Sequence, residues 1–247
     1  MEKQTIHVYA VCKNEVEFIP FFLNYYESIA DKMVVFDNQS TDGTRELLNK
    51  HPKCELVNYD TKGELRDDIH MWIKNSAWKE SKGLAEWVIV SDLDELLYHQ
   101  NLIGYLNTCK KQGYTICGTE GYDMVSDEYP VIGHPIVDQV RFGSASKQFS
   151  KTILFDPNEI TEVYFSPGGH HVRPEGNVKL KESDGLKLLH YKYLGGLNRL
   201  QKRWDATGAE LSDINKQKGW GVKRAVPDEI VRRYNAVKKN AIDVLAV

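Results

Sequence analysis

The chain has 247 residues, 41% of them hydrophobic and 27% charged, with 32 basic side chains against 35 acidic ones. That length buries a large core in one large domain or two small ones, and the near-balanced net charge of −3 gives no reason to expect nucleic-acid binding. Cys12, Cys54, Cys109 and Cys117 show no paired metal or redox spacing. No basic-then-apolar leader opens the sequence, and no apolar run approaches the roughly 18 residues of a membrane span, which points to a soluble protein of a reducing cytoplasm.

Residues 6–11, IHVYAV, are a β-rich run that stops at CKNE and predict a first strand. A helix is expected within 15–30, with Phe18, Phe22, Tyr25 and Ile29 on one face. Pro20 belongs near its first turn, since deeper in it would remove a hydrogen bond. KMVVFD (32–37) predicts a second strand, NQSTDGT a polar turn rich in capping residues, and TRELLNK a helix ending before Pro52. CELVNYD (54–60) predicts a third strand. Residues 64–81 predict a longer helix with Leu65, Ile69, Trp72 and Ile73 on its apolar face, ended by Gly83. EWVIVSD (86–92) predicts a fourth strand.

Strand and helix thus alternate to about residue 95, the pattern of an α/β domain with a mostly parallel sheet. After residue 110, YTICGTEGYDMVS (114–126) and KTILFDP (151–157) read as strands, punctuated by Gly, Pro and His without alternating helices. LKLLHYKYL (186–194) is a strand or a strand-to-helix junction, and the chain from Gly195 onward is basic and helical. There is no internal repeat and no low-complexity linker, so a single domain with a mixed second half is expected.

In sheets of this kind ligands bind beyond the carboxyl ends of the strands. Three polar clusters fall at such ends: Cys12 to Glu15, Asp37 to Asp42, and Asp92 to Glu95. Asp92, Asp94 and Glu95 would repel one another there unless a cation or hydrogen-bond donors compensate. Alternation lets Asp92 and Asp94 point to one side while Leu93 returns to the core. Such an Asp–X–Asp pair suits Mg²⁺ or Mn²⁺, which take one or two carboxylates plus waters and phosphate oxygens. Asp37 at a strand end is placed to accept from a ribose hydroxyl or a base N–H, and Asp42 either caps the helix at Thr44 or touches ligand. His190 closes another apolar run. The adjacent His170 and His171 in PGGHHVRPEG (167–176) lack the spacing of a zinc hydrolase, and one of them is expected to face a ligand while the other packs inward. No P-loop and no G-x-G-x-x-G follows the first strand.

In order, VCKNE, DNQSTDGT, SDLDELLY, PGGHHVRPEG and LLHYKYLG resemble the GT-A glycosyltransferases, particularly family 2 and family 92-like enzymes, over roughly residues 5 to 203. The resemblance implies a Rossmann-like mixed α/β sheet flanked by helices, with a nucleotide-binding half (1–110), an acceptor-side half (111–194) and a C-terminal helical lid (195–247). It implies transfer of a sugar, of hexosyl type, from a nucleotide-sugar, UDP being the commonest nucleotide, to a glycan or lipid-linked saccharide in polysaccharide assembly. Asp94 would be a direct ligand of Mn²⁺ or Mg²⁺, Asp92 would touch the ribose or a metal-bound water, and His190 would complete the coordination. Asp37, Cys12, Glu15 and Asp42 would line the nucleoside pocket, while Lys151, Arg199 and Arg203 would neutralise the diphosphate. Arg203 with QKGWG (217–221) suggests a lid that orders on donor binding.

An inverting transfer needs a carboxylate base. The E-D pair that the commonest family 2 pattern places well after the DxD is absent, so Asp123 is the first candidate, with Glu120 or Asp127 as replacements. The basic stretch 231–245 is either a solvated helix face or a surface resting on a membrane that carries the acceptor. Three rivals are weaker. A sugar nucleotidyltransferase carries a Gly-rich, Arg-containing loop after strand one, which VCKNEVEF lacks. A degenerate binding module would have lost Asp92 or Asp94. A hydrolase using His170 and His171 lacks a carboxylate-rich companion motif.

Overall fold

The computed structural model describes residues 3–226 and 228–246. The alternation expected in the first part forms as β1 (Ile6–Cys12), α1 (Ile19–Glu27), β2 (Lys32–Asn38), α2 (Thr44–Lys50), β3 (Cys54–Tyr59), α3 (Asp67–Ser76) and β4 (Trp87–Asp92). These four strands are parallel and lie in the order β3-β2-β1-β4. Every residue of β1 is buried, as a parallel strand covered on both faces requires. Pro20 sits in the first turn of α1, where its missing N–H costs nothing, and Phe18 and Phe22 are buried against the sheet.

The helix expected over 64–81 is shorter than predicted: α3 stops at Ser76 and a 3₁₀ turn, Ala77–Ser81, carries the chain on. Its apolar face is also different. Ile73 is buried, but Trp72 is 67% exposed. The opposite stripe, Asp67, His70, Met71 and Lys74 at i, i+3, i+4 and i+7, faces a cleft instead.

Beyond β4 the chain builds β5 (Glu95–Tyr98), α4 (Leu102–Lys111), β6 (Ile116–Cys117), β7 (Glu120–Ser126), α5 (Ile136–Gln139), β8 (Phe142–Ala145) and β9 (Leu154–Phe155). Short strands β10 (Ile160–Glu162), β11 (Glu175–Gly176) and β12 (Leu180–Lys181) precede the long β13 (Lys187–Leu194). The run 114–126 is therefore two strands in different sheets. β6 extends the first sheet, in the order β12-β6-β9-β4-β1-β2-β3, while β7 belongs to a second.

That second sheet has the order β14-β8-β7-β13-β5, closed by β14 (Ile242–Asp243). The basic C-terminal part folds as α6 (Gly196–Ala209), α7 (Asp213–Lys218) and α8 (Glu229–Lys239). Much of the charge on α8 is matched within the chain, Arg232 and Arg233 by Glu229 and Lys238 by Asp127. No helix among the described residues is long and apolar enough to cross a membrane. The result is a mixed α/β fold with a parallel-dominated sheet flanked by helices, as the sequence pattern predicts.

Candidate active site

The three polar clusters noted in the sequence meet because their strands are parallel neighbours. Cys12 pairs in register with Asp37, and Val11 with Asp92. A cleft of about 990 Å³ opens over these carboxyl ends, walled on the far side by α6 and residues 219–224.

Asp92 ends β4 and Glu95 begins β5, so the Asp–X–Asp segment is the corner at which the chain leaves one sheet for the other. Leu93 is 3% exposed and belongs to the core. The carboxylates at the two ends of the corner, Asp92 and Glu95, are held by ammonium groups. Lys74 Nζ, from the polar stripe of α3, donates to Asp92 at 2.6 Å, and Lys151 Nζ lies 3.7 Å from the other oxygen. Lys151 also donates to Glu95 at 2.5 Å and to the Gly168 carbonyl at 2.7 Å. Burial alone would raise the Asp92 carboxyl, but Lys74 and Lys151 outweigh it and hold the group well below the ordinary carboxylate range. Burial works against the charge of Lys151, yet Glu95 and Asp92 together raise its pKa.

Asp94 faces a different set of partners. Its backbone carbonyl accepts from Tyr191 N at 2.8 Å, which ties the corner to β13. Its carboxylate lies 3.7 Å from His190 Nε2 and 3.8 Å from Arg203. His190 and Asp123 oppose each other in the parallel pair β13 and β7, with Nδ1 2.7 Å from the Asp123 carboxylate. Burial would raise Asp123, but that hydrogen bond and the charge of His190 bring it below its ordinary value. An ionised carboxylate only accepts, so Nδ1 donates to Asp123 and Nε2 is the ring nitrogen left facing Asp94. Phe149 stacks on His190 at 3.9 Å between centroids. A Cβ on Gly121 would fall 2.0 Å from the Phe149 carbonyl carbon, so glycine in β7 is what lets this segment lie so close.

Asp94 and His190 are thus one carboxylate and one imidazole aimed at a common point. Among the described residues no cluster of three or more His, Cys, Asp or Glu has metal-holding geometry. Two protein ligands still fit Mg²⁺ or Mn²⁺, which draw their remaining oxygens from water and phosphate. The ring nitrogen on a carboxylate is the usual support of a metal-binding histidine.

Glu15 and Arg203 pair across the cleft, and Arg199 donates to Glu17 at 3.2 Å from Nε while lying over the Tyr129 ring. Burial pushes Glu15 up to about 7 against the pull of Arg203. Asp37 is fully buried and does not line the cleft. It accepts from Cys12 Sγ and Ser40 N and lies 3.7 Å from Arg45. Asp42 lines the cleft and accepts from the Val16 and Thr44 amides, tying the first loop to the start of α2, whose N-cap is Gly43. Of the three carboxylates considered as base, none lines the cleft. Asp123 is buried on His190. Glu120 is exposed and bonded to Tyr122 and Ser183, and Asp127 is held by Tyr234 and Lys238. His170 lines the cleft, while His171 is exposed rather than packed inward.

Sequence reasoning missed Lys74, His70, Phe149, Lys192 and Arg224. The i, i+3, i+7 spacing of Asp67, His70 and Lys74 was the one signal available for α3. Lys192 lies over the Trp204 ring at 4.8 Å, and burial together with Arg224 pushes its ammonium down to about 8. Burial also lowers Arg224, which is under the influence of Asp67, Asp92 and Asp94.

No family model matches the chain, and no curated protein matches it. Among solved structures it is similar to S. aureus TarS, with a TM-score of 0.45 at 11% identity, over 94% of this chain and 43% of that one. S. aureus TarS 1–349 in complex with UDP-GlcNAc gives 0.45 and 11% over 94% and 72%. Glucosyl-3-phosphoglycerate synthase from Mycobacterium tuberculosis, in complex with Mn²⁺, UDP and phosphoglyceric acid, gives 0.34 and 15% over 49% and 43%. The chain spans less than half the length of the longer TarS structure. Likeness at this level assigns no activity.

Proposed function

We propose that the protein transfers a sugar from a nucleoside-diphosphate sugar, taken as a UDP-sugar, to a hydroxyl of a glycan or lipid-linked saccharide, with inversion at the anomeric carbon. The observation that carries this reading is the corner between the sheets. There Asp94 and His190 converge, Asp123 fixes the imidazole, and the cleft beside them holds Arg203, Lys192 and Arg224.

Asp94 and His190 would hold Mn²⁺ or Mg²⁺, which when bound supplies charge neutralisation to the departing diphosphate. The chain's own groups do the rest. Lys74 and Lys151 keep Asp92 ionised to face the ribose or a metal-bound water. Arg203, Lys192 and Arg224, each half-buried in the cleft, offer charge-assisted hydrogen bonds to phosphate oxygens. Cys12 lines the nucleoside end, with Asp37 and Asp42 fixing the loops around it. Residues 195–224 act as the cover of the cleft, and the residues before 110 as its nucleotide side.

Manganese affinity tests this reading, measured by electron paramagnetic resonance in the presence of UDP. Wild type should bind the ion, His190→Ala should lose it, and Asp123→Asn should weaken it about 10–100-fold, the usual cost of removing a carboxylate behind a metal-binding histidine. Equal affinity in all three proteins would place the ion away from His190 and overturn the roles proposed for His190 and Asp123.

A further inference from the structure

His170 has no part in the scheme above, yet its setting is specific. It follows two glycines in left-handed backbone, Gly168 at φ +70° and Gly169 at φ +67°. A Cβ at Gly168 would fall 2.6 Å from His170 Nε2, so glycine there leaves room for that nitrogen to meet a partner. Nδ1 lies 3.0 Å from the Gln148 carbonyl oxygen. A carbonyl only accepts, so Nδ1 carries the proton and Nε2 presents a lone pair. The Gln148 side-chain amide meets that lone pair at 3.1 Å.

Phe149 joins this ring to the corner between the sheets: it stacks on His190 and meets His170 edge-on at 5.5 Å. The charged groups facing His170 are Lys151, Asp92 and Lys74. Burial first, then Lys151, pull its pKa to about 4, so the ring is neutral at neutral pH. Asp92, Glu95 and Glu15 are each already held by a cation.

We propose that His170 Nε2 is the base that takes the proton from the acceptor hydroxyl. This assignment rests on the inverting glycosyltransferase reading. In the step, the acceptor O–H bond breaks and its oxygen bonds to the anomeric carbon. The bond from that carbon to the phosphate oxygen breaks, and its electron pair leaves with the nucleoside diphosphate. The proton moves to Nε2, giving an imidazolium whose Nδ1–H stays on the Gln148 carbonyl. The negative charge gained by the diphosphate offsets the new positive charge. The Gln148 amide yields its place at Nε2 to the hydroxyl and is left free to donate to the acceptor.

UDP release from UDP-glucose, UDP-galactose and UDP-N-acetylglucosamine, with Mn²⁺ present and water as acceptor, tests the proposal in wild type, His170→Gln and His170→Ala. Glutamine keeps a hydrogen-bond acceptor but cannot hold a proton. Turnover should fall about 10²–10⁴-fold in both variants, with calorimetric UDP affinity unchanged, and added imidazole should restore part of the rate to His170→Ala. Wild-type turnover in His170→Gln overturns the assignment alone. So does a parallel loss of UDP affinity without imidazole rescue, which marks a structural role. A wild-type protein that releases UDP from none of the three sugars overturns the transfer reading and this assignment with it.

Discussion

Lys151 carries its charge where water hardly reaches: its side chain and that of Glu95 are each 1% exposed. An ion pair this deep is sustained only because every partner is present, with the Gly168 carbonyl accepting a second donor and the Asp92 carboxylate 3.7 Å away. Lys151→Met strands the Glu95 carboxylate, and chemical denaturation should show a loss of about 3–5 kcal/mol. Adding Glu95→Gln to it should recover a large part of that loss, because the second change removes the unpaired charge. A Lys151→Met protein as stable as wild type would mean that Glu95 is already protonated. Nothing in the sequence around residue 151 marks this lysine as a core residue, since its partner lies 56 positions away.

At the level of elements, the site depends on one helix reaching back to the first loop. Arg203 on α6 pairs with Glu15 after β1, 188 residues apart, and stands 3.8 Å from Asp94. Under the proposed transfer, a guanidinium between the Glu15 and Asp94 carboxylates takes up a phosphate of the donor. Arg203→Ala should therefore cost about 1.5–3 kcal/mol of UDP affinity, about tenfold or more in Kd, with the denaturation midpoint little changed. Loss of fold stability without loss of UDP affinity would make Arg203 a structural tie only.

The elements themselves were unequally legible. Strands β1 to β4 announce themselves as apolar runs, and their carboxyl ends could be read because parallel order puts them on one edge. The division of 114–126 between two sheets could not, because a β-rich run carries no mark of where it changes partners. Asp123 illustrates the consequence. Its role depends on lying opposite His190 in register, 67 residues on, and no local pattern gives the register of distant strands. Trp72 fits the apolar spacing of α3, yet the helix turns Lys74 and His70 inward because charge in the cleft demands it.

For the molecule as a whole, His170 in the cleft wall leaves a mark on stability. His170 titrates near 6.5 in an unfolded chain and near 4 in the folded one. Between those values the unfolded chain holds more protons, so stability rises with pH; this contribution is complete above about 6.5 and lost as pH falls toward 4. Urea midpoints taken across that range should rise less steeply in His170→Gln than in wild type. Parallel curves would mean that the ring is charged in the folded protein as well.

The central claim is that the corner between the sheets binds a nucleoside diphosphate through a metal held by Asp94 and His190. Calorimetric titration of UDP into wild type and Asp94→Asn, each with and without Mn²⁺, addresses it most directly. UDP should bind wild type tightly only when Mn²⁺ is present, and Asp94→Asn should lose that dependence together with the affinity. Equal binding with and without the metal, unaltered in Asp94→Asn, would contradict the claim.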